Sequence, residues 1–279
     1  MKIPLTVPAA YKKKYQKNFM QLTHDHPQER CFIFAADQRL EHLYDDFHGT
    51  EIPDTVGDPE HIFQIAQKAP ISALATHFGL IARYGPDFPN IPYIVKMNGK
   101  SNLINPEQQD PYSSLLFSLE TVLESDSSIN LVGLGYTLYL GSRYESAMLR
   151  EASLVVEAAH SKGLIAFLWI YPRGNNLLLK KNQYLSAGAT GAAVSLGADF
   201  VKIAAPPSYE ELKAAVQNGG NTGVICAGGA SQEPKQLLIN IQKQLTSGAR
   251  GCAIGRNIFQ KNRKDAIDLC INIHKLLFS

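Results

Sequence analysis

The sequence has few features of a membrane, secreted or nucleic-acid-binding protein. No apolar run approaches the roughly 20 residues of a membrane-spanning helix, and the opening residues, Met1-Lys2-Ile3-Pro4, lack the apolar core of a signal peptide. The 27 basic and 25 acidic residues leave a formal charge of +2, which gives no reason to expect a nucleic acid or an anionic membrane as a partner. We therefore expect a soluble, cytoplasmic protein.

Motifs that bind metals are also scarce. The four cysteines, Cys31, Cys226, Cys252 and Cys270, lie far apart and form no C-x-x-C pair. Three of them lie in apolar runs, where a cysteine usually serves as a small hydrophobic residue. There is no H-x-x-E-H or comparable cluster of ligands. The sequence therefore predicts no metal site, and we expect no cofactor.

The chain is rich in short apolar segments that alternate with helical patterns. Eight segments have the composition of buried strands: Cys31–Asp37, Ala73–His77, Ile91–Asn98, Ile129–Gly135, Leu164–Tyr171, Phe200–Ala205, Gly223–Gly228 and Gly251–Gly255. Helical spacing follows most of them, for example at Met148, Ala152 and Val155, and a helix is expected near Ser114–Glu124. Eight strands alternating with helices predict an α/β fold, a (β/α)8 TIM barrel.

The barrel accounts for nearly all of the chain. No linker of biased composition divides the 279 residues, so the sequence predicts one domain over residues 1–279. Residues 1–30 precede the first strand and carry Tyr11, Tyr15, Phe19 and Leu22 at helical spacing. We expect this N-terminal extension to form a helix that caps one end of the barrel.

One predicted strand carries a lysine between apolar residues. Because successive strand side chains face opposite ways, Phe200, Lys202 and Ala204 share one face, and Val201 and Ile203 share the other. The reference lysine pKa is about 10.4, and burial can lower it by up to ~3–5 units. A buried lysine on a strand is therefore either a salt-bridge partner or a nucleophile that forms a Schiff base.

Polar residues collect at the carboxyl ends of the predicted strands, where barrel enzymes carry their active sites. Alternation places Asp37 on the inner face of the first strand and Trp169 and Tyr171 beside Lys202. Trp169 is either a core residue or a pocket wall, and the Tyr171 hydroxyl either bonds to the backbone or lines a pocket. Asp37 has three possible partners: Lys202, Lys96 and Arg39.

The last two predicted strands end in glycine-rich loops. Gly228-Gly229-Ala230-Ser231 and Gly255-Arg256-Asn257 each follow a strand and precede a helix. Glycines allow backbone N–H groups to approach an anion, and arginine binds phosphate in a bidentate manner. Barrel enzymes often bind phosphate with the loops after strands seven and eight. The two loops therefore predict a phosphate site.

The combination of these motifs resembles the archaeal-type class I fructose-bisphosphate aldolases, the DhnA family. The matching segments are ADQRLEH (36–42), HFGLIARYGPDFPNIPYIVKMNGKSNL (77–103), LGYTLYLGSRYE (134–145), LWIYPRG (168–174), LGADFVKI (196–203), CAGGAS (226–231) and GRNIFQ (255–260). The resemblance implies that Lys202 forms the Schiff base, that Tyr171 transfers protons, that Asp37 assists and that Trp169 lines the pocket. It further implies that the sugar phosphate is held by Gly228, Gly229, Gly255, Ser231 and Arg256. We also expect Lys96 and Arg173 to bind the substrate.

The resemblance also implies a function. We expect metal-independent, reversible cleavage of fructose 1,6-bisphosphate to dihydroxyacetone phosphate and glyceraldehyde 3-phosphate, in glycolysis and gluconeogenesis, by a homo-oligomer. Two features depart from the family: Gln38 stands where many archaeal members have histidine, and the segment after Lys202 is short. Three alternatives remain: a related Schiff-base synthase acting on another phosphorylated keto sugar, a non-catalytic sugar-phosphate-binding protein, and a purely structural barrel.

Overall fold

Eight parallel strands form a closed barrel in the computed structural model, which describes residues 1–103, 109–175, 177 and 184–279. The strands are β1 Cys31–Ala35, β2 Ala73–His77, β3 Tyr93–Lys96, β4 Leu131–Leu140, β5 Ile165–Pro172, β6 Phe200–Ile203, β7 Gly223–Ala227 and β8 Gly251–Ile254. Each strand pairs with its neighbours in this order, and β8 pairs with β1 to close the barrel. The predicted (β/α)8 barrel is confirmed, and each predicted strand segment overlaps an observed strand.

Eleven α-helices lie in the described residues. They are α1 Lys12–Thr23, α2 Gln38–Glu41, α3 His61–Lys68, α4 Phe78–Tyr84, α5 Leu119–Glu124, α6 Glu145–Ser161, α7 Leu185–Leu196, α8 Tyr209–Gly219, α9 Pro234–Thr246, α10 Arg256–Phe259 and α11 Arg263–Phe278. Short 3₁₀ turns occur at Ala9–Tyr11, Asp45–Phe47, Asp54–Gly57, Gly85–Asp87 and Ser125–Ser127. In the described part of the chain, no helix is both long enough and apolar enough to cross a membrane.

Local sequence explains where several helices begin. The Ser208 side chain accepts a hydrogen bond from Glu211 N at the start of α8, and Asn262 does the same for Asp265 N at the start of α11. Such N-caps satisfy backbone donors that have no partner within the helix. Pro234 is the first residue of α9, a position that suits proline because no N–H is needed there.

The strands separate two apolar cores. Inside the barrel, Ile33, Ala35, Phe167, Trp169 and Phe200 belong to one buried cluster. The outward-facing residues of β6, Val201 and Ile203, belong to a second cluster together with the surrounding helices. The predicted faces of the first, fifth and sixth strands are therefore confirmed, and Lys202 lies on the inward face.

The N-terminal extension covers the amino end of the barrel, as expected. Phe19 of α1 stacks on Phe200 with ring centroids 5.7 Å apart. The Tyr15 hydroxyl donates to Asp199 Oδ1 at 2.5 Å, and Asp199 Oδ2 accepts from Ala166 N at 2.8 Å and lies 3.0 Å from His160 Nε2. This end is closed by apolar packing around a fully partnered carboxylate. The assignment of residues 1–279 to a single domain stays a prediction.

A short hairpin after β3 departs from the expected pattern. Asn98–Gly99 pairs antiparallel with Ser114–Leu115, so the predicted strand Ile91–Asn98 is divided and the helix expected near Ser114–Glu124 begins only at Leu119. The Asn98 amide group donates to Ser113 O at 2.8 Å and to Thr137 O at 2.7 Å, and its oxygen accepts from Thr137 N at 2.8 Å. One buried side chain thus attaches the hairpin to β4.

Candidate active site

A cavity of about 370 Å³ opens at the carboxyl ends of the strands. Nine of the eleven sequence-predicted site residues line it: Asp37, Trp169, Tyr171, Arg173, Lys202, Gly228, Gly229, Gly255 and Arg256. Lys96 does not line the cavity but is paired with Asp37. Ser231 is exposed and lines a neighbouring groove, which shares Gly228 and Gly229 with the cavity. The structure therefore brings the predicted residues together, except for Ser231.

Lys202 reaches the cavity from β6 and is only 7% exposed. It lies opposite Trp169 on β5 and Ile225 on β7, and its Nζ is 5.7 Å from the Trp169 ring centroid. Burial lowers the pKa of Lys202, the charge of Asp37 opposes that change, and Lys96 lowers the pKa further. A lowered pKa increases the fraction of neutral amine, the form that attacks carbonyl groups.

Asp37 and Lys96 form a buried ion pair beside Lys202. Asp37 Oδ2 lies 3.3 Å from Lys96 Nζ. Burial alone would raise the pKa of Asp37, but Lys96, Lys202 and His77 together lower it to about 2. Burial and Lys96 also lower the pKa of His77 to about 4, so His77 is neutral at pH 7. Of the three partners that the sequence left open for Asp37, the structure selects Lys96.

The ring of Trp169 lies near both lysines. The Nζ atoms of Lys96 and Lys202 each lie 5.7 Å from its ring centroid, a distance at which a cation is attracted to an aromatic face. The ring needs the space left by Gly135 on β4, because a Cβ there would overlap it. Its Nε1 is buried without a hydrogen-bond partner in the described residues. Trp169 is thus a core residue and a wall of the cavity at once.

Tyr171 lies next to a second tyrosine and a carboxylate. The rings of Tyr171 and Tyr139 are cross-strand neighbours with centroids 6.2 Å apart, and the Tyr139 hydroxyl donates to Glu41 Oε1 at 3.3 Å. Burial raises the pKa of Tyr171 well above its usual value, and the charges of Asp37 and Glu41 raise it further. Tyr171 therefore keeps its proton at neutral pH, and its hydroxyl group is available as a hydrogen-bond donor.

The glycine-rich loops form the other side of the cavity. Gly229 has a positive φ of +72°, a conformation that glycine adopts without strain. Asn257 links the two loops, since its Nδ2 donates to Ala230 O at 3.0 Å and its Oδ1 accepts from Gln232 N at 2.9 Å. Arg256 Nη1 lies 3.9 Å from Asp46 Oδ1. A guanidinium group beside bare backbone suits an anionic group of a ligand.

Sequence reasoning did not assign a role to several residues that line the cavity: Gln38, Glu41, His42, Thr137 and Tyr139. Gln38 was noted only as a departure from the family, and it packs against Gly255, where a Cβ would lie 2.7 Å from Gln38 Nε2. The sequence did contain a signal for these residues. Glu41 and His42 lie in the matching segment 36–42, and Thr137 and Tyr139 lie in the matching segment 134–145.

Comparison with known proteins agrees with this arrangement. Residues 31–261 match the model of the DeoC/LacD family of aldolases. A protein of Methanocaldococcus jannaschii named fructose-bisphosphate aldolase/6-deoxy-5-ketofructose 1-phosphate synthase is 47% identical over 282 aligned residues, which cover 99% of this chain and 90% of the relative. A class 1 fructose-bisphosphate aldolase of Halobacterium salinarum is 32% identical over 238 residues, 85% of this chain and 87% of the relative.

Solved structures give the same result. A fructose-bisphosphate aldolase from Slackia heliotrinireducens superposes with a TM-score of 0.95 at 44% identity, covering all of this chain and 90% of that one. An archaeal fructose-1,6-bisphosphate aldolase whose catalytic lysine is covalently bound to the carbinolamine intermediate superposes with a TM-score of 0.81 at 28% identity, covering 95% and 100%. The chain therefore belongs to the DeoC/LacD family of aldolases, and within it to the archaeal-type class I fructose-bisphosphate aldolases.

Proposed function

We propose that this enzyme reversibly cleaves fructose 1,6-bisphosphate through a Schiff base on Lys202. The observation that carries the proposal is the position of Lys202, whose buried amine lines a cavity that the two glycine-rich loops also line. Burial favours the neutral amine, and the basic side chains Arg173 and Arg256 suit a substrate with two phosphates. The names of the relatives support the same substrate.

The first step forms the imine. The neutral amine of Lys202 attacks the ketone carbon C2 to give a carbinolamine, which loses water to give a protonated imine. Tyr171 lines the same cavity as Lys202 and keeps its proton at neutral pH, so it is suited to donate to the departing oxygen. Asp37 balances the charges of Lys96 and of the developing imine.

The second step breaks the C3–C4 bond. A base removes the C4 hydroxyl proton, the C4–O bond becomes the aldehyde of glyceraldehyde 3-phosphate, and the electron pair of C3–C4 passes to the imine to form an enamine. Tyr171 then protonates C3, and water releases dihydroxyacetone phosphate from Lys202. The imine is the electron sink in this scheme, which is the basis for predicting that no metal is needed. Acid–base assistance of this kind contributes about 10²–10⁴-fold.

Trapping with borohydride tests the proposal. Incubation with dihydroxyacetone phosphate and borohydride in the presence of a chelator should attach the three-carbon unit to Lys202, as located by mass spectrometry of peptides. Lys202→Ala should abolish both trapping and cleavage while the circular dichroism spectrum stays unchanged. Residual cleavage above a few per cent, or loss of activity of the parent enzyme in chelator, would contradict the mechanism.

A second candidate substrate is a phosphorylated keto sugar without a second phosphate. The relative with 47% identity carries both activities in its name, and the second concerns a 6-deoxy sugar 1-phosphate. Lys202 would form the Schiff base in both reactions, so only the substrates and products distinguish the two candidate functions. Fructose 1,6-bisphosphate and a 6-deoxyhexulose 1-phosphate should be compared by kcat/KM. Binding of either without trapping would instead indicate a non-catalytic sugar-phosphate-binding protein.

The cellular expectations extend this proposal. We propose that the enzyme acts in glycolysis and gluconeogenesis, in the cytoplasm and as a homo-oligomer. Light scattering of the purified protein measures its oligomeric state directly.

A further inference from the structure

A third loop contributes a histidine to the cavity that the two glycine-rich loops line. His42 directly follows α2 in the loop after β1, and it lines the cavity together with Gly255 and Arg256 of the loop after β8. The phosphate site that the sequence predicts does not include this histidine. Its role therefore has to be inferred from its contacts.

One buried carboxylate, that of Asp46, connects His42 with Arg256. Asp46 Oδ2 lies 2.8 Å from His42 Nδ1, and Asp46 Oδ1 lies 3.9 Å from Arg256 Nη1. Asp46 is only 8% exposed, and within the described part of the chain the cavity lining includes His42 and Arg256 but not Asp46. The carboxylate therefore approaches the imidazole and the guanidinium from behind the cavity wall.

Asp46 is itself fixed by contacts with the loop after β8. It belongs to the 3₁₀ turn that follows α2, and its backbone oxygen accepts a hydrogen bond from Gln260 Nε2 at 2.9 Å. The neighbouring ring of Phe47 stacks on Phe259 of α10 with centroids 5.0 Å apart. Because α10 also carries Arg256, the turn and the arginine belong to one packed unit. A carboxylate fixed in this way restricts the orientation of the side chains beside it.

The remaining ring nitrogen of His42 suits an anion. Asp46 occupies Nδ1, so Nε2 is the nitrogen that is left for a ligand in the cavity. A carboxylate at Nδ1 favours the imidazolium form of histidine, in which both ring nitrogens donate hydrogen bonds. Phosphate oxygens accept hydrogen bonds and bind charged donors most strongly. An imidazole and a guanidinium held by one carboxylate therefore match a phosphate group.

The position of these two side chains favours the phosphate on C1 of the substrate. Lys202 would bond to C2, so a phosphate on C1 stays close to it, whereas a phosphate on C6 lies at the far end of the sugar. The glycine-rich loops follow β7 and β8, the two strands that come next to β6 and its Lys202 in the barrel. The two candidate substrates of the proposed function share the C1 phosphate and differ at C6. A group that binds the C1 phosphate would therefore serve both.

We propose that His42 donates, together with Arg256, to the C1 phosphate of the substrate, and that Asp46 is the positioning residue for both side chains. The inference rests on the proposed function. It assigns to the loop after β1 a share of the phosphate site, which the glycine-rich loops otherwise form. It also identifies His42 as a residue by which the site selects a phosphorylated ketone over the same ketone without phosphate.

Borohydride trapping of two ketones measures the contribution of His42. Dihydroxyacetone phosphate and dihydroxyacetone form the same kind of imine, but only the first has a phosphate. We expect His42→Asn to raise the concentration of dihydroxyacetone phosphate that gives half-maximal trapping by about tenfold. The maximal rate of trapping, and trapping with dihydroxyacetone, should stay close to those of the parent enzyme. Inorganic phosphate should protect the parent enzyme from trapping better than it protects the variant.

A double variant shows whether Asp46 acts through His42. Asp46→Asn removes the charge but keeps an acceptor, so it should raise the half-maximal concentration of dihydroxyacetone phosphate by about threefold. His42→Asn/Asp46→Asn should lose less than the product of the two single effects, because part of the same interaction is removed twice. If Asp46→Asn instead impaired the trapping of both ketones equally, its role would be merely structural and the positioning role would be wrong.

Two exposed neighbours provide matched controls, and Asp45→Asn and His48→Asn should leave the trapping of both ketones unchanged. The binding role of His42 would be wrong if His42→Asn left the half-maximal concentration unchanged or impaired both ketones equally. It would also be wrong if His42→Asn impaired only the cleavage of fructose 1,6-bisphosphate, because His42 would then lie at the C6 phosphate. Failure of dihydroxyacetone phosphate to be trapped by the parent enzyme would contradict the proposed function itself.

Discussion

The two ends of the barrel both bury charged groups, but they balance them differently. At the amino end, one carboxylate, Asp199, has Tyr15, His160 and the backbone N–H of Ala166 as partners. At the carboxyl end, the buried amines of Lys96 and Lys202 share one buried carboxylate, Asp37. Burying a charged group destabilises the fold less when each of its polar atoms has a partner than when one of them has none.

The difference follows from what each end does. The amino end needs only to stay closed, and α1 covers it with Phe19 and a complete hydrogen-bond network. Under the proposed function, the carboxyl end holds an amine that must lose its proton easily, and a lysine with a full set of hydrogen-bond partners would be a poor nucleophile. We therefore expect substitutions at the two ends to move stability and activity in opposite ways.

Lys202→Met should produce the largest effect, a loss of cleavage by a factor on the order of 10⁴ or more. The pKa of Lys202 lies below its value of 10.5 in the unfolded chain, so the unfolded chain binds more protons between these values and stability rises with pH there. Below the pKa of Lys202 in the folded protein, the amine is charged in both states, and burying it destabilises the fold to the full extent. Removing the amine leaves Asp37 and Lys96 as a matched pair, and the free energy of unfolding at pH 7 should rise by about 0.5–2 kcal/mol.

Urea denaturation of the parent enzyme and of Lys202→Met at pH 7 measures this gain. The increase in stability with pH at alkaline values should also be smaller in the variant, because the group that causes it is gone. If the variant were less stable than its parent at pH 7, the buried amine of Lys202 would not destabilise the folded protein as inferred here.

Asp199→Ala should have the reverse outcome at the amino end. It leaves Tyr15, His160 and Ala166 N without their acceptor, and removing one partner of a buried charged pair typically costs about 3–5 kcal/mol. The kcat of the folded fraction should change far less than in Lys202→Met. Asp268→Ala, at an exposed position of α11, is the control and should stay within about 0.5 kcal/mol of the parent. If Asp199→Ala and Lys202→Met had the same free energy of unfolding, the two ends of the barrel would not differ in how their buried charges affect stability.

The barrel could be predicted because its strands are continuous apolar runs bounded by glycine, proline or asparagine. Alternation with a period of two also placed Lys202 and Trp169 on the inward face. The hairpin at Asn98 escaped prediction, because two-residue strands have no periodicity and are held by side-chain hydrogen bonds to distant parts of the chain, such as that of Asn98 to Thr137 on β4. The local sequence pattern predicts the strands, but it does not predict hydrogen bonds between side chains and distant segments.

The site was predictable only in part for a similar reason. Residue types at the strand ends indicated most of the cavity residues. Which of three cations pairs with Asp37, however, depends on the geometry of the closed barrel. Glu41 lies in a four-residue helix, and only tertiary structure carries its side chain to Tyr139. Ser231 follows Gly229, whose positive φ turns the chain, and it lies in the neighbouring groove instead of the cavity.

The smallest expected effect is a pair of opposite pH shifts at the carboxyl end. Asp37 raises the pKa of Lys202 and Lys96 lowers it. Asp37→Asn should therefore move the acidic limb of borohydride trapping to lower pH, and Lys96→Met should move it to higher pH, each by about one unit. The position of the limb is compared, because changing Asp37 should also lower the maximal rate under the proposed function.

Lys68→Met, at an exposed position of α3, removes the same charge away from the cavity and should leave the limb in place. The double variant Asp37→Asn/Lys96→Met should return the limb towards that of the parent enzyme, because the two charges oppose each other at Lys202. If neither single variant shifted the limb, the reactivity of Lys202 would depend on burial alone. The charges of Asp37 and Lys96 would then have no part in setting the pKa of Lys202.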